Sequence, residues 1–201
     1  MFAALSLPRN LNVLMITKDK TENSNSYLAQ GGICTLKEPG DYDAFFEDTM
    51  RAGRFENSEA SVRCMIEHAA EVNRKLISYG VEFDKKEDGD FDYTREGAHS
   101  ACRILHHKDV TGKEITSKLI DAARKRDNIE IQEYTLMMDL VMEGGRCCGM
   151  VVREEDGTLR QIDAKAVILA TGGMGGLFEH STNFRHITGD SFAMAAKHGI
   201  R

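Results

Sequence analysis

Ala166-Val167-Ile168-Leu169-Ala170-Thr171-Gly172-Gly173 is the stretch on which the reading of the fold turns. A short apolar run of this kind, opened by Lys165, reads as a buried strand of a parallel sheet. It runs into a small, glycine-bearing turn, where backbone can come close to a flat ligand. In open α/β sheets, ligands sit at the carboxyl ends of strands. The plain alternative is a buried strand with a glycine turn and no ligand.

A meander precedes this strand. Asp139–Met142, Gly149–Val152 and Leu159–Ile162 read as strands, joined by the turns Glu143-Gly144-Gly145-Arg146 and Glu154-Glu155-Asp156-Gly157. Asp190 to Lys197 reads as a helix, with Gly199 as its stop. A meander followed by a buried strand and a glycine turn looks like the second half of a two-dinucleotide-binding domain. Near the other end, Phe2–Leu7 reads as the tail of an amphipathic helix broken by Pro8, and Asn12–Thr17 as a buried strand. Thr21 to Gly32 reads as a loop.

The middle is helical. Asp41–Gly53 places Tyr42, Phe45, Phe46 and Met50 on one side. Ser58–Gly80 carries the stripe Val62, Met65, Ile66, Ala69, Val72 and Leu76, with Ser58 able to cap its start and Gly80 able to end it. Lys85–Asp90 is a charged turn. Thr111–Arg126 buries Ile115, Leu119, Ile120 and Ala123, and Thr111 and Glu114 have capping-box spacing. Ile129–Ile131 is a short strand. The expected fold class is α/β: a partial two-dinucleotide-binding, Rossmann-like domain, with a helical and loop insertion at roughly 41–126 and the meander and second strand at roughly 129–173.

With 201 residues, 41% hydrophobic and 29% charged, the chain has the composition of one globular domain. A formal charge of −6 argues against a nucleic-acid partner. The tightest basic cluster, Arg124-Lys125-Arg126, reads as a helix end, where positive charge suits the helix dipole. No apolar run approaches the ~20 residues needed to span a bilayer, and Met1–Leu5 lacks a signal-peptide pattern. The expectation is no membrane and a cytoplasmic location. Five cysteines without a CxxC pair give no zinc site and fit a reducing compartment; the vicinal Cys147-Cys148 pair reads as two small residues at a strand edge.

Two further segments carry chemistry. Asn23–Gly32 joins amide and hydroxyl side chains to paired glycines, and its backbone could wrap a flat ring. Arg95-Glu96-Gly97-Ala98-His99-Ser100-Ala101-Cys102-Arg103-Ile104-Leu105-His106, continuing through His107, Asp109, Thr111 and Gly112, crowds arginines, histidines and a carboxylate without helical or strand period. Arginine and histidine suit a dicarboxylate, since arginine binds carboxylate in two-pronged fashion, and Glu96 could meet a substrate ammonium. A polar surface loop is the competing reading.

Together and in this order, the segments resemble the L-aspartate oxidase branch of the succinate dehydrogenase and fumarate reductase flavoprotein family. YLAQGGI resembles its flavin loop, REGAHSACRILHHKDVTG its substrate-side segment, and AVILATGG and TGDSFAMA its later FAD elements. The resemblance covers essentially the whole chain. It implies FAD-dependent oxidation of L-aspartate to iminoaspartate, with fumarate or oxygen as electron acceptor and quinolinate synthase as the pathway partner in NAD synthesis. Carried over by position, Lys18 lies near the adenosine ribose. Asn25, Ser26, Tyr27, Leu28, Ala29, Gln30, Gly31 and Gly32 line the flavin. Leu136 and Met137 offer backbone to the adenine side, Ala170, Thr171 and Gly172 form the second FAD turn, and Asp190 reaches the ribitol or pyrophosphate. Glu96, Arg103 and His106 are the catalytic candidates, and no metal is implied.

Two departures from the family pattern stand out. A histidine holds FAD covalently in the respiratory branch; Asn25 stands in that place, so FAD is expected to be non-covalent. No GxGxxG turn occurs, so the pyrophosphate cradle, like the family's capping domain, is expected to lie outside these residues. Two other readings stay open: a fumarate reductase or succinate dehydrogenase relative, and a non-catalytic fragment.

Overall fold

A computed structural model describes residues 1–200. In chain order the elements are α1 (Phe2–Ser6), β1 (Val13–Ile16), α2 (Asn25–Leu28), β2 (Ile33–Cys34), α3 (Tyr42–Ala52), α4 (Glu59–Ser78), β3 (Tyr93–Thr94), β4 (Ile104–Leu105), α5 (Thr111–Arg124), β5 (Ile129–Gln132), β6 (Leu136–Glu143), β7 (Arg146–Arg153), β8 (Leu159–Asp163) and α6 (Asp190–His198). They fall into two compact units: Met1–Asn25 with the chain from Ala123 onward, and Ser26–Ala122.

In the first unit, β1 and β5 form a parallel pair, in register from Val13 opposite Ile129 to Ile16 opposite Gln132. Arg126 donates from its guanidinium to the carbonyls of Leu5 and Leu7, at 3.3 Å each. Its charge therefore serves the C-terminal end of α1, where orphan carbonyls need donors. Strands β6, β7 and β8 form the expected antiparallel meander. Its core is Met137, Leu140, Met150 and Val152, against which Ile16, Ile162, Val167, Leu169 and Met194 pack.

The segment Ala166–Ala170 departs from expectation. It pairs with no strand among the described residues, and Ile168 is 65% exposed. Val167 and Leu169 turn onto the meander core while Ile168 points away, so the alternation of an extended chain is kept without a ladder to bury its second face. β1 also falls short of full burial, with all four residues half-buried.

In the second unit, β2, β4 and β3 make a small antiparallel sheet, with Ile33 and Tyr93 both opposite Leu105. Helices α3 and α4 pack through Phe45, Met50, Val62 and Ile66, supported by Leu36, Tyr42 and Phe46. Ser58 caps α4 by accepting from the Ser61 amide at 3.4 Å. The stripe on α4 differs from expectation at two positions. Met65 is 47% exposed, while Asn73 is buried and donates to the Cys34 carbonyl at 3.2 Å. The capping box on α5 does not form either. The Thr111 hydroxyl accepts from the His107 amide (2.9 Å) and Glu114 accepts from the Glu82 amide (3.0 Å), so both groups serve the preceding loops. Among the described residues no helix is long and apolar enough to cross a membrane.

Because Ile66 has no exposed surface, Ile66→Ala should lower unfolding free energy by about 2–5 kcal/mol. Met65→Ala should stay within about 0.5 kcal/mol. Urea denaturation of both variants checks the assignment, and equal losses would contradict it.

Candidate functional site

Two sets of residues carry the chemistry, one in each unit. In the first unit the glycine turn after Ala170 is strapped to the start of α6. The Ser191 amide donates to the Thr171 hydroxyl at 3.1 Å, and the Thr171 and Ser191 hydroxyls lie 2.6 Å apart. The Gly189 amide donates to the Gly173 carbonyl at 2.9 Å. Gly172 adopts φ +75°, a conformation that a side chain would strain. A Cβ on Gly173 would meet nothing within 4 Å, so this turn presents bare backbone.

Lys18, just past β1, and Asp190, the first residue of α6, are brought together from opposite ends of the sequence. The Lys18 ammonium lies 2.8 Å from the Asp190 carboxylate and donates at 2.8 Å to the Thr188 hydroxyl. That hydroxyl in turn donates to Asp190 at 2.8 Å. Two of the three ammonium donors are therefore used, and the group stays partly exposed. Leu136 and Met137 open β6, opposite Arg153 and Val152. The Met137 side chain is buried, so backbone is what this position can offer a ligand. Asn25 donates through its amide nitrogen to Asn183 and accepts at its oxygen from the Phe184 amide at 3.4 Å. Thr188 opens the TGDSFAMA element without a role of its own there, and Asn183 lies in a stretch with no period to read.

In the second unit the expected flavin loop is not wholly irregular: it begins with the single helical turn α2. Its backbone is seated on the first turn of α5. The Gly112 amide donates to the Ala29 carbonyl at 2.8 Å, and a Cβ on Gly112 would fall 2.1 Å from the Ser26 carbonyl. Gly32 is held as tightly, since a Cβ there would lie 2.2 Å from the Ile104 side chain and 2.4 Å from the Leu105 carbonyl. Ser26, Leu28, Ala29, Gln30, Gly31 and Gly32 remain exposed, and Tyr27 is half-buried.

Arg103, expected to meet a substrate carboxylate, has another role. Its side chain is 0% exposed. Asp41 takes Nε at 2.8 Å and Nη2 at 2.7 Å, Asp48 takes Nη1 at 2.6 Å, and His99 Nδ1 lies 3.1 Å from Nη1. Four of its five N–H donors are thus directed to groups inside the unit. Asp41 stands at the N-cap position of α3 but caps nothing, because its carboxylate is taken by Arg103. Asp48 Oδ2 also accepts from the Ser100 amide and hydroxyl, both at 2.7 Å, which fixes the loop carrying Glu96. Asp41, Phe45 and Asp48 share one helical face by their i, i+4, i+7 spacing, a signal that could have revealed the clamp.

Asp41, and with it Asp48, holds the Arg103 proton well above the usual guanidinium range. Burial pushes Asp48 up, but the Ser100 hydrogen bonds and Arg103 outweigh it and bring its pKa to about 2. His106 Nδ1 lies 3.3 Å from Asp84 and its Nε2 is 3.9 Å from Asp92. Cys34 Sγ is 3.4 Å from His99 Nε2, and burial raises its thiol pKa. The five cysteines are free, and no cluster among the described residues could hold a metal ion.

A family described as FAD binding domain matches residues 1–201, the whole chain. The chain belongs to that family. L-aspartate oxidase of Clostridium acetobutylicum is 44% identical over 200 residues, covering all of this chain and 46% of the relative. L-aspartate oxidase of Bacillus subtilis is 40% identical over 205 residues, covering 98% of this chain and 38% of the relative. The chain thus spans less than half the length of these relatives. Among solved structures, E. coli quinol fumarate reductase FrdA matches with a TM-score of 0.90 at 27% identity, over 98% of this chain and 34% of that one. Mycobacterium smegmatis Sdh1 matches with a TM-score of 0.86 at 28% identity, over 94% and 34%. The fold is that of the FAD-binding part of the succinate dehydrogenase and fumarate reductase flavoproteins, and the family is one of FAD-dependent oxidoreductases. The residues present fit that cofactor. In the first unit, bare backbone at Gly172-Gly173 suits a flat ring and the partly exposed Lys18–Asp190 pair suits ribose hydroxyls.

Asp48 contributes stability that is complete above the unfolded-chain carboxylate pKa of about 3.9 and is lost as pH falls toward about 2. Urea midpoints should therefore drop steeply across that window. In Asp48→Asn, already destabilised at neutral pH because the buried Arg103 keeps Asp41 as its one carboxylate partner (about 3–5 kcal/mol), the drop should be shallower. An unchanged slope would remove Asp48 from the account.

Proposed function

We propose that this chain supplies part of the FAD-binding and substrate-facing surface of an enzyme oxidising L-aspartate to iminoaspartate. The observation carrying the reading is Glu96. Its side chain is exposed, pairs with no cation among the described residues, and sits in a loop anchored through Ser100 on Asp48. An unpaired carboxylate suits the ammonium of an amino-dicarboxylate and would repel a substrate with carboxylates alone. The names of the similar oxidases, which match 98–100% of this chain, support the same reading.

Lys18, Leu136, Met137, Ala170, Thr171, Gly172 and Asp190 would hold the adenosine and ribityl side of FAD, and Ser26 to Gly32 would offer backbone to the flavin. Glu96 would orient the substrate, and His106, its Nδ1 turned to Asp84, is the second substrate-side candidate. Bound FAD supplies the acceptor for the hydride removed from the amino acid. Asn25 lacks an imidazole and its amide is spent on Asn183 and Phe184, so attachment would be non-covalent. Helices and loops at roughly 41–126 form the insertion, and 129–173 the meander and second FAD segment. Fumarate or oxygen would reoxidise the flavin, quinolinate synthase would take the product, and the location would be cytoplasmic.

The test is to load the protein with FAD, follow flavin fluorescence, and add L-aspartate anaerobically. FAD should be released by denaturant, and L-aspartate should bleach the flavin while yielding iminoaspartate. Bleaching by succinate and not by L-aspartate would instead favour the fumarate reductase and succinate dehydrogenase reading, to which the fold is similar. Lys18→Ala should weaken FAD by roughly ten- to a hundredfold, the range expected for a lost charge-assisted hydrogen bond. Unchanged affinity would take Lys18 out of the cofactor site.

A further inference from the structure

The two glycines of the flavin loop are glycines for different reasons. At Gly32 the obstacle to a side chain is packed structure, the Ile104 side chain and the Leu105 carbonyl. At Gly31 it is one exposed carboxylate. An ideal Cβ on Gly31 would lie 2.7 Å from Glu96 Oε1, 3.3 Å from Oε2 and 3.4 Å from Cδ. Gly31 does not adopt a positive φ, so its backbone conformation makes no demand for glycine. A side chain there would meet the Glu96 carboxylate lying against the loop, the far end of a flexible side chain that can be pushed aside. Nothing else holds that carboxylate, since it has no hydrogen-bond or ion-pair partner among the described residues and Arg103 is committed to Asp41 and Asp48. Its backbone, in contrast, is fixed: the His99 amide donates to the Glu96 carbonyl at 3.0 Å, and Ser100 is anchored on Asp48.

We propose that Gly31 is a specificity-determining residue that acts through Glu96. By leaving room for the carboxylate it sets where that charge stands, and so sets the preference for a dicarboxylate bearing an ammonium group over one without it. Any side chain at this position displaces the carboxylate, because contacts below 3.0 Å are not sustained. The inference rests on the aspartate-oxidising reading.

The experiment is calorimetric titration of the FAD-loaded protein with L-aspartate and with succinate, the flavin being kept reduced by dithionite so that neither ligand turns over. The wild type should bind L-aspartate more tightly than succinate. Gly31→Ala should weaken L-aspartate about tenfold, the scale of one charge-assisted hydrogen bond, and leave succinate within about twofold. Glu96→Ala should cost L-aspartate as much, and adding Gly31→Ala to it should cost nothing more. A wild type with no preference for L-aspartate would overturn the aspartate reading, and this inference with it. A wild-type preference that survives in Gly31→Ala would overturn the inference alone. So would equal losses for both ligands, a further loss in the Glu96→Ala background, or failure of Gly31→Ala to hold FAD, because each gives the glycine another purpose.

Discussion

Arg103 has no exposed surface, and a guanidinium out of water is tolerable only where carboxylates and hydrogen bonds replace the hydration it lost. Asp41 and Asp48 provide them from the N-terminal end and middle of α3, with the Phe45 ring 5.1 Å from the guanidinium carbon. That requirement ties separate pieces of the second unit together. It holds α3 against the loop before β4, and through Asp48 it fastens Ser100. The Arg103 carbonyl accepts from the Thr35 amide at 2.9 Å, which continues the pairing of β2 with β4. Since arginine cannot accept, His99 Nδ1 must be the acceptor at this contact, which leaves the proton of the neutral ring on Nε2, facing Cys34. The loop bearing Glu96 is thus a held element, although it has no regular secondary structure.

The first unit uses the same device with milder groups. Lys18, Thr188 and Asp190 close a triangle between the end of β1 and the start of α6, and Thr171 with Ser191 closes the glycine turn on the same helix. At the other end of α6, Asp139 meets Lys197 and His198, which hold its carboxyl well below the usual range. Lys197 stands in the last turn, where helix carbonyls favour positive charge. Bare glycine backbone and hydroxyl-directed charge then sit on a turn pinned at several points, as a surface for a bound cofactor requires.

The sequence made the elements with strong local signals legible: the meander with its glycine turns, the long amphipathic α4, and α6 with Gly199 in a left-handed conformation at its end. It was less reliable where a partner far along the chain decides. Ala166–Ala170 has the composition of a buried strand, but a ladder needs a neighbour that no local pattern supplies. Thr111 and Glu114 have the spacing of a capping box, and two nearby loop amides took them instead. Arg103 looked like a substrate ligand because its residue type suits carboxylates. It does bind carboxylates, but they belong to α3, and nothing in the 95–103 segment announces them. The family itself was legible because three motifs in order constrain far more than any one of them.

The most direct test of this account is hydrogen exchange at the Ser100 amide, which donates to Asp48 in an otherwise exposed loop. If the clamp holds the substrate-side loop as a fixed element, this amide exchanges slowly in the wild type. In Asp48→Ala, which removes the acceptor with the charge, it should speed up markedly while amides in the β6–β7 meander stay protected. Exchange at the rate of a free loop amide in the wild type, or protection that survives the loss of the Asp48 charge, would contradict the account.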